Sequence, residues 1–556
     1  MKSVLTKSLI MVLLLGCSLA LAEPVDLDVV HRIKEEAFHH SHVMDYLYRI
    51  TDENGPRITG SPGFARAAER AVATFREAGV PKAGEETWGV FGRGWSWSRI
   101  AVQMEQPYET TLTAYPGDWS AATDGPVSGE VVFAPLWDEG ETPQEGDLVK
   151  LAEQIEAYKA KYAGKLAGKV VMLAQPRQFQ LPETPETFRW TDEQLGDLGN
   201  SGYDQPLMPG PVPPVHWPLI RYPVDKEQRS RLWDVMPLEI MADFWVHQIE
   251  VGNRLRAFLR DQGVAAVLTV GWAKGAAVIM NSDYGSYRDG DPVPPPTAVL
   301  MPEQYSQLFH LVDRGVPVKV QVDVDAQFYG PGVEGKNVIA EIPAAGRGKQ
   351  VVMLGAHLDS WHGAVVMEVM RILASLDLPL RRTVRAALWS GEEECLCGSR
   401  YYVATHFADP VTMKLKPEYP QLSAYFNLDN GGGRIRGVYL QQNDMARPIF
   451  EAWLKPFADL GASEITIINT TGTDHLSFNQ VGLPGFNFIQ DPLDYELNTH
   501  HSNVDHTSHV IPGDLMQAAA VMAASVYQAA VREDMMPRQP LPPPLPEKGE
   551  LPAILK

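Results

Sequence analysis

Cysteine is scarce in this chain. Of its 556 residues three are cysteines, and only Cys395 and Cys397 lie beyond the first 22 residues. A framework of disulfide bonds is therefore excluded as the source of stability. Two cysteines separated by a single residue rarely close a bridge, because the resulting ring is strained. We therefore expect Cys395 and Cys397 to be small buried hydrophobic side chains.

Positive charge is also in short supply. The chain has 48 Lys and Arg residues against 69 Asp and Glu residues, which gives a formal net charge of −21. This excess of negative charge argues against nucleic acid or an anionic membrane surface as a partner. The hydrophobic content of 45% and charged content of 21% are typical of a globular protein. A chain of this length is expected to form two or more domains.

Long apolar runs are missing beyond residue 22, so no transmembrane segment is predicted. Residues 1–22 have the pattern of an export signal: two lysines precede an apolar stretch, and a small-x-small cleavage site ends at Ala22. We therefore expect an exported protein, periplasmic or extracellular. The segment that ends at Cys17 also fits a bacterial lipoprotein box, in which case Cys17 would carry a lipid anchor.

From residue 335 onward, buried strands and amphipathic helices alternate regularly. This pattern predicts an α/β fold, a mixed sheet flanked by helices. The Gly- and Trp-rich stretch 92–97 is expected to be a loop, and the Pro-rich tail 536–556 to be extended. The strands are predicted at 350–356, 383–390 and 423–429, and the helices at 364–375, 398–407 and 513–532.

Residue types that commonly bind metals directly follow two of these predicted strands. His357 follows the first strand, and the Glu392-Glu393 pair follows the second. Ligands bind at the carboxyl ends of the strands in open α/β sheets. Imidazole and carboxylate groups are what zinc prefers, and a spare carboxylate can act as general base. Either motif alone is a weak signal, because acidic pairs are usually just solvated.

Two further motifs follow in chain order. Asp429 comes after an apolar strand and begins a glycine-rich turn, and His500 and His501 lie in a polar loop before the last helix. Taken singly, the first is also compatible with an Asx-turn and the second with a surface histidine cluster. Four such motifs in order are a much stronger indication of a metal site.

Together the motifs resemble the secreted di-zinc exopeptidases related to bacterial leucyl aminopeptidase and carboxypeptidase Q. The likeness extends over nearly the whole mature chain and is specific as an ordered set. The matching motifs are Gly-Pro-Arg-x-x-Gly-Ser at 55–61, Gly-Arg-Gly-Trp at 92–95, Gly-Ala-His-Leu-Asp-Ser at 355–360, Trp-Ser-Gly-Glu-Glu at 389–393, Asn-Leu-Asp at 427–429 and His-His-Ser-x-x-Asp at 500–505.

The resemblance implies two zinc ions. His357 and Asp429 would be the protein ligands of one ion, and Glu393 and His501 those of the other. Of the two adjacent histidines we choose His501, because it stands directly before the Ser-x-x-Asp element.

The resemblance also implies the roles of four other residues. Glu392 would be the general base, and Asp359 would hold the ligand histidine in its working tautomer. Asp474 and His475 resemble the substrate-binding loop of the family, where His475 would stabilise a developing oxyanion. Packing of that histidine inside the loop is the alternative.

The same likeness implies the domain organisation. The likeness is weakest over the inserted protease-associated domain, which is expected to be mainly β. The predicted parts are a signal peptide at 1–22, the first segment of the peptidase domain at 23–126, the protease-associated insertion at 127–328, the catalytic segment at 329–535 and the Pro-rich tail at 536–556.

The sequence departs from the family pattern at one place. In the family, a glycine-rich loop and an Asp-Asn pair follow the metal histidine, and that Asp bridges the two zinc ions. Here Ser360 to Ala364 run directly into the next helix, so the bridging ligand and its loop are missing. Each zinc would keep two protein ligands, fewer than the three that a catalytic site usually has. His362 and Glu368 are the substitutes that the segment offers.

Three hypotheses follow. The chain is a zinc exopeptidase acting on small peptides and impaired by the lost ligand, or an inactive relative that binds peptides, or an active single-metal peptidase with substitute ligands. We expect the chain to be metal-poor and either weakly active or inactive. Preservation of Glu392, Glu393, Asp429 and His501 favours a recent loss, because unpaired acidic clusters are costly to keep.

Overall fold

The computed structural model describes residues 23–138, 147–177, 185–201, 217–218, 232, 236–271, 278–279, 285–346 and 348–556. The predicted export signal at 1–22, with Cys17, lies outside the described residues. Within them, no helix combines the length and the apolar character needed to cross a lipid bilayer.

A single mixed sheet organises the described chain. Its strands follow the order β13-β12-β14-β11-β9-β10-β8-β4-β5-β6-β7-β3, with β1 alongside β8 and β2 on β1. The predicted fold class, a mixed sheet flanked by helices, is confirmed. The strands are β1 (Lys82–Gln106), β2 (Thr110–Leu112), β3 (Ala114–Pro116), β4 (Val127–Phe133), β5 (Val170–Met172), β6 (Ala266–Thr269), β7 (Thr297–Leu300), β8 (Lys319–Ile342), β9 (Val351–His357), β10 (Thr383–Trp389), β11 (Leu422–Asn427), β12 (Ile435–Tyr439), β13 (Glu464–Thr466) and β14 (Gly485–Gln490).

Helices cover the sheet and carry much of the core. The helix Pro512–Val531 is rich in alanine and buried over most of its length, and it packs beside the helix Gly363–Leu376. Together they shield the central strands from solvent. The other α-helices are Leu27–His39, Val43–Ile50, Pro62–Glu77, Leu148–Tyr162, Asp192–Asn200, Leu238–Asp261, Pro302–Asp313, Glu392–Cys395, Cys397–His406, Arg447–Leu454 and His475–Asn479.

The central strands β9, β10 and β11 are parallel, with β9 in the middle. All seven residues of β9 are buried. A strand covered on both faces needs a continuous apolar run, and Val351 to Ala356 supply it. The carboxyl ends of these three strands therefore open at the same edge of the sheet.

The prediction of a loop at 92–97 is wrong, because this stretch lies inside β1. β1 pairs with β8 along almost its whole length, and register shifts occur near Gly92 and Gly94. Glycine is needed at residue 94, where a Cβ atom would collide with the backbone of Gly60. The aromatic ring of Trp95 is fully buried, and its N–H donates to the carbonyl of Ser120 at 3.0 Å. Pairing with β8 satisfies the backbone groups that a loop would expose.

The region 127–328 is not mainly β in its described part. The strands β4 to β7 are short and mutually parallel, and the helices Leu148–Tyr162 and Leu238–Asp261 are longer than any of them. Parallel strands need crossover connections, which are usually helices. The predicted boundary at residue 328 also falls inside β8, so no linker separates the two parts there. The assignment as a protease-associated domain stays a prediction.

Candidate metal centre

Three strand ends bring the predicted catalytic and metal-binding residues together. His357 is the last residue of β9 and lies opposite Trp389, the last residue of β10. Gly391 then turns the chain in a left-handed conformation (φ 66°), and the helix Glu392–Cys395 begins. Asp429 follows two residues after the end of β11. The parallel register places all three groups above one edge of the sheet.

The four predicted zinc ligands meet in two pairs. His357 Nε2 lies 3.3 Å from Asp429 Oδ1, and His501 Nε2 lies 2.6 Å from Glu393 Oε2. His501 has a left-handed backbone (φ 55°) in the loop after the π-helix Tyr495–Thr499. Its neighbour His500 instead stacks on Tyr495, with ring centroids 4.6 Å apart.

The two pairs are close enough to form one cluster. Single ligand atoms of His357, Glu392 and Glu393 lie within 4.8 Å of one another, as do those of His357, His362 and Asp429. His357 therefore belongs to both groups. The predicted metal residues are brought together as the resemblance implied, although their roles as ligands stay predictions.

Asp359 lies where a positioning carboxylate is expected. Its Oδ1 is 3.2 Å from His357 Nδ1. Its Oδ2 accepts hydrogen bonds from the backbone N–H of Glu392 at 3.1 Å and of Glu393 at 3.4 Å. The side chain is 5% exposed, so these contacts are shielded from water.

Burial and mutual repulsion shape the charges of the site. Burial raises the pKa of Glu392 well above its usual value; the carboxylates of Asp429 and Glu393 add to this, while His357 opposes it. Burial also disfavours charge on His357, but Asp429 and Glu392 outweigh it and raise the pKa of the imidazole well above its usual value. Burial acts against Asp429 as well, yet His357 lowers the pKa of that carboxyl.

Glu393 is the most exposed acid of the cluster, with 32% of its side chain accessible. Burial disfavours its charged form, but the charge and hydrogen bond of His501 outweigh that and lower the pKa of Glu393 to about 2. This carboxylate is therefore ionised at neutral pH and paired with His501.

The other carboxylates between His357 and Glu392 lie away from the site. Glu368 is fully buried and paired with Arg371 at 2.9 Å, and its Oε1 accepts the backbone N–H of His42. Asp377 caps the end of the helix Gly363–Leu376. Within the described residues, neither enters a metal-binding group. His362, by contrast, does.

Asp474 and His475 lie deeper than expected for residues that touch substrate. Both are fully buried at the start of a short helix, and His475 Nε2 lies 3.0 Å from the carbonyl oxygen of Thr470. Burial raises the pKa of Asp474 to about 8 and lowers that of His475 to about 4. The preceding residues Thr470 to Gly472 line the nearby cavity instead. The substrate role of both residues stays a prediction.

Two cavities meet at the cluster. One, of about 640 Å³, is bounded by the aromatic rings of Trp97 and Trp119. The other, of about 520 Å³, is bounded by Trp245 and Tyr495. Both have the size of a site for a small organic ligand. Three residues line both cavities: Glu393, Glu394 and His501.

The expectation that Cys395 and Cys397 are separate buried thiols is wrong, because they form a disulfide. The helix Glu392–Cys395 ends at Leu396, whose left-handed backbone (φ 50°) folds the chain back before the next helix begins. The two Cα atoms are thereby 4.9 Å apart, within the range of disulfides. The bond lies three residues from Glu392.

Residues of the Gly-Pro-Arg-x-x-Gly-Ser motif support the site from behind, a role that the sequence did not reveal. Arg57 Nε donates to the carbonyl of Leu358 at 2.9 Å, and Thr59 Oγ1 accepts the backbone N–H of Gly391 at 2.8 Å. The motif thereby fixes both strand ends. The motif is one of those that match the family, which indicated that it matters, but only the fold shows which residues it contacts.

Comparisons with known proteins agree with this geometry. Residues 337–526 match Peptidase family M28. Carboxypeptidase Q from Homo sapiens is 28% identical over 263 residues, which are 45% of this chain and 53% of that protein. The chain thus matches about half the length of this curated relative. The resemblance inferred from the motifs is confirmed.

Solved structures share the fold. A peptidase M28 precursor from Shewanella amazonensis SB2B aligns over 93% of this chain and 98% of its own, with a TM-score of 0.60 and 20% identity. BSAP, a zinc aminopeptidase from Bacillus subtilis, aligns over 89% and 96%, with a TM-score of 0.50 and 16% identity. At these levels of sequence identity, the two structures are evidence for a shared fold alone.

Proposed function

We propose that this chain, whose residues 337–526 match Peptidase family M28, is a zinc-dependent exopeptidase that hydrolyses terminal peptide bonds of small peptides. One observation carries the proposal: His357, Glu392 and Asp429 converge at one sheet edge, and the Glu393–His501 pair lies beside them. The curated relative carboxypeptidase Q is named for an exopeptidase activity.

The donor set fits zinc. Imidazole nitrogens and carboxylate oxygens are its usual ligands, and Asp429 Oδ1 is buried without a hydrogen-bond partner among the described residues. Such an orphaned oxygen is costly unless a cation satisfies it. When bound, zinc polarises a carbonyl group and lowers the pKa of water. His357 and Asp429 would hold one ion, and Glu393 and His501 are the candidates for a second.

Glu392 is the residue that we propose takes the proton from the attacking water. It begins its helix beside the ligand residues, and its Oε2 lies 3.9 Å from His357 Nδ1. Its raised pKa suits a group that must accept a proton and later release it to the leaving amine. Asp359 contributes by positioning, since it holds both His357 and the backbone of Glu392.

The cavities on either side of the cluster suit short peptides. Their aromatic walls can contact side chains of a substrate, while acidic residues at the shared boundary face the cluster. We propose a terminal residue in one cavity and the rest of a short peptide in the other, with the scissile bond above Glu392.

We propose that the missing bridging ligand makes this chain a weaker enzyme than a two-zinc peptidase. The second candidate pair brings only two protein ligands of its own, Glu393 and His501. A catalytic zinc usually has three. We therefore expect the second ion to bind weakly and turnover to be slow.

A secreted peptide-binding protein without catalysis is the alternative. The lack of a shared carboxylate favours it, because the cavities would still accept a peptide if no metal were held. Export through residues 1–22, with or without a lipid on Cys17, belongs to either proposal, as does a protease-associated insertion at 127–328.

The test is metal content together with turnover. The purified full-length protein is dialysed against zinc, washed, and assayed with amino-acid anilides and with dipeptides. Bound zinc with turnover that disappears on chelation and returns with zinc supports the enzyme. Peptide binding in calorimetry without zinc and without hydrolysis would favour the binding protein instead.

A further inference from the structure

His362 faces the same carboxylate oxygen as the predicted zinc ligand His357. Asp429 Oδ1 lies 3.3 Å from His357 Nε2 and 3.4 Å from His362 Nδ1. All three side chains are at most 6% exposed. Asp429 Oδ1 accepts no hydrogen bond within the described part of the chain. This carboxylate oxygen is therefore a strong acceptor that is buried and has no hydrogen bond.

The second nitrogen of each imidazole is already engaged. His357 Nδ1 lies 3.2 Å from Asp359 Oδ1, and His362 Nε2 lies 3.1 Å from the carbonyl oxygen of Gly431. Carboxylate and carbonyl oxygens only accept hydrogen bonds, so these nitrogens carry the hydrogens. Binding of zinc requires the neutral form of both imidazoles, in which the nitrogens that face Asp429 carry lone pairs. A metal-binding histidine typically donates its other N–H to a carboxylate or a backbone carbonyl in this way.

We propose that His357, His362 and Asp429 are the three protein ligands of a single zinc ion, and that His362 takes the place of the shared carboxylate that the chain lacks. The proposal rests on the proposed metallopeptidase function. Three protein ligands with one open position are the usual composition of a catalytic zinc site.

The spacing of the donor atoms agrees with this assignment. Zinc bonds to nitrogen and oxygen of about 2.0–2.1 Å at tetrahedral angles place neighbouring donor atoms roughly 3.3–3.4 Å apart. The two distances from Asp429 Oδ1 are 3.3 Å and 3.4 Å. Two of the three distances between donor atoms thus already match a tetrahedral ion, and all three donor atoms lie within 4.8 Å of one another.

The short connection after β9 holds His362 in place. Only five residues separate His357 from the start of the helix at Gly363, so His362 lies directly above the strand end. Its ring stacks on Trp361 with centroids 3.9 Å apart and an interplanar angle of 22°. The absence of a longer loop is therefore what brings this histidine to the site.

Ser360 is the competitor for the lone pair of His362. Its Oγ lies 3.3 Å from His362 Nδ1 and 3.4 Å from the carbonyl oxygen of His357. A hydroxyl has one hydrogen, and donation to the carbonyl leaves the imidazole nitrogen available. The substitution Ser360→Ala removes the competitor and is expected to leave zinc binding intact.

The Glu393–His501 pair differs from this site. At 2.6 Å its two atoms are in direct hydrogen-bond contact, and a cation would have to separate them. Both side chains are also about 30% exposed. We therefore expect one tightly held zinc per chain, at His357, His362 and Asp429.

The experiment measures zinc affinity and coordination in the full-length protein. Calorimetry and elemental analysis are run on the wild type, on His362→Ala, on the matched His501→Ala and on the surface control His310→Ala. Removal of a ligand should cost more than the 10–100-fold expected of an outer-shell partner, so His362→Ala should weaken zinc binding by at least about 100-fold. His501→Ala and His310→Ala should keep one zinc per chain. X-ray absorption on the wild type should show two imidazoles per zinc.

Several outcomes would overturn the site. They are unchanged zinc affinity in His362→Ala, one imidazole per zinc in the wild type, two tightly bound zinc ions of which His501→Ala loses one, or no zinc binding at all. The absorption measurement needs no variant, so a folding defect of His362→Ala does not remove the test. Zinc bound through two imidazoles without peptide turnover would refute the proposed function and keep the site. Zinc-dependent turnover that is unchanged in His362→Ala would refute the site and keep the proposed function.

Discussion

Nδ1 of His357 lies 3.2 Å from Oδ1 of Asp359, and the other oxygen of that carboxylate accepts the backbone N–H groups of Glu392 and Glu393. One side chain therefore fixes the end of β9 and the first turn of the helix after β10. The orientation of the imidazole proposed to bind zinc and the position of the proposed general base are coupled through it. This coupling leads to the first of four predictions.

Asp359→Asn is expected to weaken zinc binding or kcat/KM by about 10–100-fold, the usual effect of losing an outer-shell partner of a metal ligand. The amide retains an acceptor for one contact but cannot accept at both of its terminal atoms. Calorimetry with zinc and peptide assays measure the effect. Asp377→Asn makes the same chemical change at the end of a helix outside the site. Equal behaviour of both variants would contradict the positioning role.

Glu392→Gln is expected to lower kcat by about 10²–10⁴-fold, the usual contribution of a general base. Glutamine keeps the size of the side chain but cannot take up a proton. Zinc content should stay at the wild-type level, because Glu392 is not among the three proposed ligands. Glu451→Gln on the exposed side of another helix serves as control. Retention of more than a tenth of the wild-type kcat would remove Glu392 from the mechanism.

Leu354→Ala is expected to lower the free energy of unfolding by about 2–5 kcal/mol, as is usual when a large buried side chain is truncated. Leu354 is fully buried in the middle of β9. Leu415→Ala, at a side chain that is 47% exposed, should change stability by less than about 0.5 kcal/mol. Chemical denaturation of both variants measures the difference. Zinc per folded chain should be the same in both, and loss of zinc from folded Leu354→Ala would show that the core and the site are not separable.

His406→Gln is expected to destabilise the protein most below pH 6.5 and progressively less as the pH rises. His406 Nε2 lies 2.7 Å from Glu86 and Nδ1 lies 3.2 Å from Glu418. The hydrogen bond with Glu86 is the largest cause that raises the pKa of His406 above its unfolded value of about 6.5. A raised folded-state pKa stabilises the protein fully below the unfolded pKa, and the benefit is lost as the pH rises through the folded one.

Denaturation midpoints of the wild type and His406→Gln at pH 6 and pH 9 measure this effect. His310→Gln, at an exposed helix position, is the matched control and should show no such trend. A difference between wild type and His406→Gln that stays constant over this range would mean that packing, and not charge, accounts for the role of His406.

The sequence allowed the catalytic half of the sheet to be predicted well, because its strands are continuous apolar runs and its helices have clear periodicity. The predicted strand at 350–356 is β9 displaced by one residue, and the predicted helix at 364–375 differs by one residue at each end. The prediction of a loop at 92–97 was wrong because glycines that permit close approach of two strands cannot be distinguished in sequence from loop glycines. The helices of 127–328 were underestimated because short parallel strands say little about their crossovers.

Within the site, the sequence motifs identified the residues that converge but not how they are joined. His362 was noted only as a possible substitute, since nothing in the letters Ser360-Trp361-His362 reveals that the ring nitrogen would face Asp429. The disulfide between Cys395 and Cys397 was missed for a related reason. The bond depends on the left-handed backbone of Leu396, and a leucine at that position does not indicate this conformation.

The strand β8 has a mechanical consequence for the molecule. Its first four residues pair with β4 and its last five with β10, while β1 pairs with it along nearly its whole length. The two parts of the sheet are therefore joined by one continuous antiparallel pair of strands, β1 and β8. Excision of the peptidase half by itself would cut this pair of strands and lay bare an unpaired edge, which invites aggregation. Experiments on the candidate metal centre therefore need a protein in which β1 and β8 are both intact.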